Sequence, residues 1–141
     1  MPIQQVDTGR RLGDLAQLED AIGAENQLGF LGNQTATGTN QATAVMIPGA
    51  CPLFEVTSAA AGTGVQLPVS SQGARVTIAN NNSQSTNITV YTNVNELNVN
   101  GPLTVPKIGS TAGTTGITLN NGTNAMFHCM TPGQWYKLSG S

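Results

Sequence analysis

Charge is the scarcest property of this chain. Of 141 residues, 9% are Asp, Glu, Lys or Arg, and the formal net charge is -2, against roughly a quarter charged in an ordinary soluble domain. No basic cluster is present to hold phosphates, so nucleic acid is not expected as a partner. No apolar run approaches the length of a membrane span, so no membrane is expected either. The opening MPIQQVDTGRRLGDL has no apolar core of a signal peptide, and the expectation is a protein made in the cytoplasm and used without Sec export.

Reactive side chains are scarce too. There is one histidine, His128, which excludes a histidine-based metal site within one chain. The two cysteines, Cys51 and Cys129, lie far apart with no metal-ligand or CxxC spacing. They read as buried thiols, with a disulfide left open. His128 and Cys129 are neighbours on a predicted strand, so their side chains point to opposite faces and do not form a nucleophile pair. Beyond Glu25 the only carboxylates are Glu55 and Glu96, one in a predicted strand and one in a loop, which is no pattern for paired acid and base chemistry. The turns GTG at 62–64 and GTTG at 113–116 lack the lysine and following helix of a phosphate loop. No catalytic, cofactor or metal residue is assigned, and the expectation is a protein that is not an enzyme. Asn-x-Ser/Thr triplets recur, for example at 33–35 and 121–123, as chance products of an Asn/Thr-rich chain. Of the few aromatics, Trp135 reads as a core plug, with its neighbour Tyr136 facing outward. An aromatic platform for sugar made of Trp135, Tyr136, Tyr91 and Phe54 is the alternative.

What charge there is lies at one end. Asp7, Arg10, Arg11, Asp14, Glu19, Asp20 and Glu25 crowd the start of the chain, and only Glu55, Arg75, Glu96, Lys107 and Lys137 follow. Residues 1–31 therefore form a segment of their own. Leu12, Leu15, Leu18 and Ile22 recur at helical spacing, which predicts a short helix over about 11–22, capped by Asp7 or Thr8 and ended by Gly23. A helix this short needs a surface to lie on. The expected surface is a sister subunit or a partner, with packing on its own domain as the alternative. Residues 32–41, GNQTATGTNQ, read as a linker.

Residues 42–141 read as β throughout. Candidate strands are 42–47, 52–57, 65–67, 74–80, 87–91, 97–99, 103–105, 117–119, 124–130 and 134–138. ARVTIAN and NAMFHCM show clear alternation, and Pro48-Gly49, Asn121-Gly122 and Pro132-Gly133 supply turns. NNNSQS reads as a hairpin-type loop. So many short strands at about ten-residue spacing predict an all-β domain, a β-sandwich or jelly roll, carrying an N-terminal arm with a short helix.

The texture also resembles a known group. GTNQATA (38–44), FEVTSAAAGTGVQLP (54–68), GARVTIANNN (73–82), ITVYT (88–92), LNVNG (97–101) and NAMFHCMTPGQWYKL (124–138) follow one another in order. This succession resembles the small β domain of head decoration (cement) proteins of tailed bacteriophages. It departs from that pattern at Thr92, where proline would follow the Val-Tyr strand, and in the Gly/Thr-rich stretch 102–120. The resemblance implies a structural virion protein on the capsid exterior, a homotrimer that binds the major capsid protein and ties capsomers together. On that expectation Leu12, Leu15, Leu18 and Ile22 of the arm make capsid or inter-subunit contacts. The alternative is a head-fibre or tail-fibre domain that binds host-surface glycans.

Overall fold

A computed structural model describes residues 29–49, 51–96 and 106–138. These are nearly all β, as expected, and form two sheets. The larger, sheet A, has the order β1-β3-β5-β10-β11-β7-β8, and the smaller, sheet B, the order β2-β4-β6-β9. The strands are β1 (Phe30–Ala36), β2 (Val45–Met46), β3 (Leu53–Ala59), β4 (Gly64–Gln66), β5 (Arg75–Asn80), β6 (Ile88–Tyr91), β7 (Lys107–Ile108), β8 (Thr111–Ala112), β9 (Ile117–Leu119), β10 (Thr123–Thr131) and β11 (Gln134–Lys137). A single 3-10 turn, Val94–Glu96, is the helical element among the described residues.

The path of the chain differs from the expected sandwich or jelly roll. From β1 to β6 successive strands alternate between the two sheets, and β1, β2, β3 and β4 each pair in parallel with the strand two places on. Leu31, Phe54 and Ile78 are stacked partners in sheet A, and Val45, Val65 and Val90 in sheet B. These stacked partners thus recur every 23 to 24 residues in sheet A and every 20 to 25 in sheet B. This path suggests a short β-solenoid, in which one winding cannot bury its apolar side until the next stacks on it. β9 and β10 then run antiparallel to β6 and β5, and β11 returns as a hairpin on β10. Strand count and turn spacing carry no information about pairing direction, which is why the windings were not visible in the sequence.

Alternation works as predicted. Val76 and Ile78 on β5, and Ala125, Phe127 and Cys129 on β10, point between the sheets. They meet Val65 and Leu67, Ile88 and Val90 from the other side, with Trp135, Phe54 and Val56 completing the core. Trp135 is fully buried, as the core-plug reading has it.

Three local expectations need correction. The supposed linker 32–41 is half strand. Phe30–Ala36 pairs in parallel with β3 through backbone groups, which need no apolar side chain, and Ala36 reaches the core. The body therefore includes Phe30 and Leu31 of the supposed arm. The strand expected at 42–47 shrinks to Val45–Met46 because Asn40 holds the preceding residues in a turn, with the Thr43 amide donating to its Oδ1 at 3.1 Å and the Ala44 amide to its carbonyl at 3.0 Å. NNNSQS joins strands of different sheets, so it is a corner and not a hairpin. The strands expected at 97–99 and 103–105, and the helix at 11–22, lie outside the described residues.

Uncharged amides hold these corners. Asn80, buried on β5, donates to the carbonyls of Thr86 and Leu119, both at 3.0 Å, and Asn82 donates to Thr86 O at 2.6 Å. Thr86 Oγ1 donates to Ala59 O at 2.8 Å, and Asn121 to Asn82 O at 3.0 Å. Gln66, fully buried, donates to Ala44 O at 2.8 Å and accepts from the Val94 amide at 2.9 Å. Gln41 donates to Thr92 O at 2.9 Å. A corner leaves backbone groups without ladder partners, and buried amides satisfy them without bringing a charge inside. Close approach of windings adds a second demand. A Cβ on Gly64 would sit 2.4 Å from the Thr89 carbonyl oxygen on β6, so only glycine fits there.

Candidate functional site

Leu12, Leu15, Leu18 and Ile22, the residues expected to make contacts, lie outside the described residues. The remaining candidates can be placed. His128 is half-buried on the outer side of β10, beside Met126, whose sulfur lies 2.8 Å from Nε2. Cys129 points inward, so the two do not pair. Both cysteines are free, buried thiols: Cys51 Sγ donates to Leu53 O at 3.0 Å and Cys129 Sγ to Thr131 O at 3.1 Å. Burial pushes both thiols above their ordinary value. At Cys129 the nearby Glu96 charge adds to this, while a hydrogen bond with Ser70 opposes it. Among the described residues no group of three His, Cys, Asp or Glu side chains could hold a metal ion. No described helix is long and apolar enough to cross a membrane.

The two carboxylates do not share a site. Glu55 is half-buried on the outer side of β3, where Asn81 donates to it at 3.5 Å. Glu96 is buried at the end of the 3-10 turn. Its Oε1 accepts from the Ser70 amide at 2.7 Å and from the Ser70 hydroxyl, and Ser70 Oγ in turn accepts from the Gly133 amide at 2.7 Å. Ser70 and Glu96 thus tie the end of the third winding to the β10–β11 turn. The sequence places Glu96 in a loop and gives no sign of its burial. Its partner Ser70 is distant in the chain, on the far side of β5 and β6, and no local pattern marks the pair. Among the described residues Glu96 Oε2 and Trp135 Nε1 are buried without a hydrogen-bond partner.

Outside the core, the outer face of sheet A carries a row of partly exposed side chains. Register places Phe30, Leu53, Thr77 and Met126 side by side on β1, β3, β5 and β10. Leu138 continues the row, its amide donating to Met126 O at 2.9 Å. Arg75, His128 and Tyr136 form the next row. Phe30, Leu53 and Leu138 are each about half exposed, at 50%, 47% and 56%. An apolar groove of about 230 Å³ lies along β3, lined by Phe30, Leu53, Phe54, Glu55, Thr77 and Ala79. Phe30 adjoins Leu53 and Met126 adjoins Leu138, with Thr77 between the two pairs, and adjoining apolar side chains mark a contact surface more strongly than scattered ones. A second cleft of about 370 Å³ lies between Ile108–Thr111, Ile117, Thr118, Tyr136 and Lys137.

The aromatic platform is not assembled. Trp135 and Phe54 are in the core and Tyr91 is buried; of the four, Tyr136 alone is exposed. No protein-family model, no curated protein and no solved structure matches the chain.

Proposed function

We propose that this protein is a structural component of a tailed-phage virion. It binds the outer surface of the capsid as a homotrimeric decoration (cement) protein and contacts the major capsid protein. No catalytic step is part of this role. The observation that carries the reading is the surface of the β body. Its described residues include five charged side chains, and Glu96 is buried, which leaves Glu55, Arg75, Lys107 and Lys137 outside. Such a surface packs against copies of itself, or against a shell, without desolvating charges. Symmetric association would also cover the free edges at β1 and β2. The resemblance in residues 38–138 points the same way.

The test has two steps. Light scattering after size exclusion gives the native mass, expected near three chains. Mixing with undecorated capsids then gives saturable binding and a capsid that resists heat or chelation longer. Failure to bind any such shell at micromolar protein would overturn the reading.

The second reading, a fibre-type domain that binds glycans, draws on the 370 Å³ cleft. Tyr136 offers an aromatic face there, with Ser110, Thr111, Thr118 and Lys137 as polar partners. Glycan binding by the isolated protein, lost in Tyr136→Ala with the fold intact, would favour it.

A further inference from the structure

The described body begins at Gly29, and its first strand residue, Phe30, is already the end of the apolar row on sheet A. Ahead of it lies the segment 1–28. It contains an amphipathic stripe that no described residue accounts for: at 100° per residue Leu12, Leu15, Leu18 and Ile22 fall within roughly 120° of one another, with Arg11 and Glu19 on the same arc. We propose that the outer face of sheet A is the seat of residues 11–22, with this stripe lying across the row Phe30, Leu53, Thr77, Met126 and Leu138.

Dimensions, reach and charge support this seat. Twelve helical residues span about 18 Å. The row crosses four inter-strand spacings, from β1 to β11, or about 19 Å. Residues 23–29 connect the two and extend at most about 25 Å. That is enough for the segment to fold back over the face that Phe30 borders. The groove beside Leu53 has apolar walls and takes an aliphatic side chain. Charges are complementary as well. Residues 1–25 hold five acidic and two basic side chains, a balance of -3. The body exposes Arg75, Lys107 and Lys137 against Glu55, a balance of +2 with Glu96 buried. Arg75 stands in the row next to the apolar one, where Asp14 at the border of the stripe or Glu19 on its arc could reach it. Seating the segment removes from water both an exposed apolar face and a stripe too short to be helical alone.

The inference does not depend on capsid binding, and its test uses the full chain without capsids. Leu15→Cys is combined in turn with Leu53→Cys, Thr77→Cys and Met126→Cys, and each protein is oxidised mildly. The buried native thiols serve as the control in the unsubstituted chain. At least one pair should cross-link in high yield. A bond within one chain places the segment on its own body. A bond between chains places it on an adjoining copy and makes the arm part of the subunit contact. Both outcomes support the seat, and no cross-link with any of the three overturns it. A second readout is trypsin cleavage after Arg10 and Arg11. Leu53→Glu, at a position already half exposed, should speed that cleavage about tenfold, the factor expected for losing one leucine contact, with circular dichroism unchanged. An unchanged cleavage rate would also overturn the seat.

Discussion

On β10 the residues Ala125, Phe127 and Cys129 point into the core, while Met126, His128 and Met130 point away from it. One strand therefore makes two unlike surfaces, and β3, β5 and β11 of sheet A repeat the contrast. Its inner face is closely packed aliphatic and aromatic side chain. Its outer face is an open row of Phe30, Leu53, Thr77, Met126 and Leu138, bordered by a row of Arg75, His128 and Tyr136. The inner face sets the stability of the fold. The outer face adds little to it as it stands, and is where the molecule has apolar surface left to give to something else. Stability and exposed apolar surface are thus carried by alternate residues of the same strands, and substitutions should separate them.

The sharpest separation should come from the core. Trp135→Ala, at a fully buried position, should cost about 3–5 kcal/mol, read as a lower urea midpoint. It is expected to leave too little stability for a folded body at 37 °C. Next in size is Gly64→Ala, which forces β4 and β6 apart at the Thr89 carbonyl and should cost about 1–3 kcal/mol by overpacking. Ser70→Ala removes the acceptor of the Gly133 amide and a donor to Glu96. Leaving a buried amide unpaired should cost about 1–3 kcal/mol, and a loss below the error of the urea midpoint would show that the Ser70–Glu96 tie is not structural.

A pH effect should be smaller. Burial raises both cysteine thiols, so on a rising pH the unfolded chain loses these protons first. The stability tied to them is intact below the ordinary thiol value, about 8.5, and falls as pH climbs through the raised folded values. Urea midpoints at neutral and alkaline pH should show that fall, and a Cys51→Ala, Cys129→Ala double variant should flatten it. The smallest effect belongs to the outer row. Thr77→Ala, one residue from the core residue Ile78, should change stability by no more than about 0.5 kcal/mol. A core-sized loss there would break the distinction between the two faces.

Much of the body was legible because alternation is a local property. ARVTIAN and NAMFHCM name their buried residues from period two alone, and Asn121-Gly122 and Pro132-Gly133 name their turns. The linker at 32–41 was misread for the opposite reason: composition speaks of side chains, whereas β1 is held by backbone hydrogen bonds to β3. The meaning of the Asn, Gln and Thr residues was only half legible. Their lack of charge suggests a surface that packs against copies, but Asn80, Asn82, Gln66 and Gln41 are buried and satisfy the corners of the windings. The candidate site was less legible still. Phe30, Leu53, Met126 and Leu138 come from distant stretches, and none is conspicuous in its own.

From sequence alone came the β character, the buried sets on β5 and β10, the inward Trp135 and the separation of Cys129 from His128. All of these follow from the alternation of side chains along one strand. Tertiary structure alone decided the parallel windings, the burial of Glu96 against Ser70 and the apolar row on sheet A. Each of these depends on which distant segments lie side by side, and register between strands is set by long-range packing that no local pattern encodes.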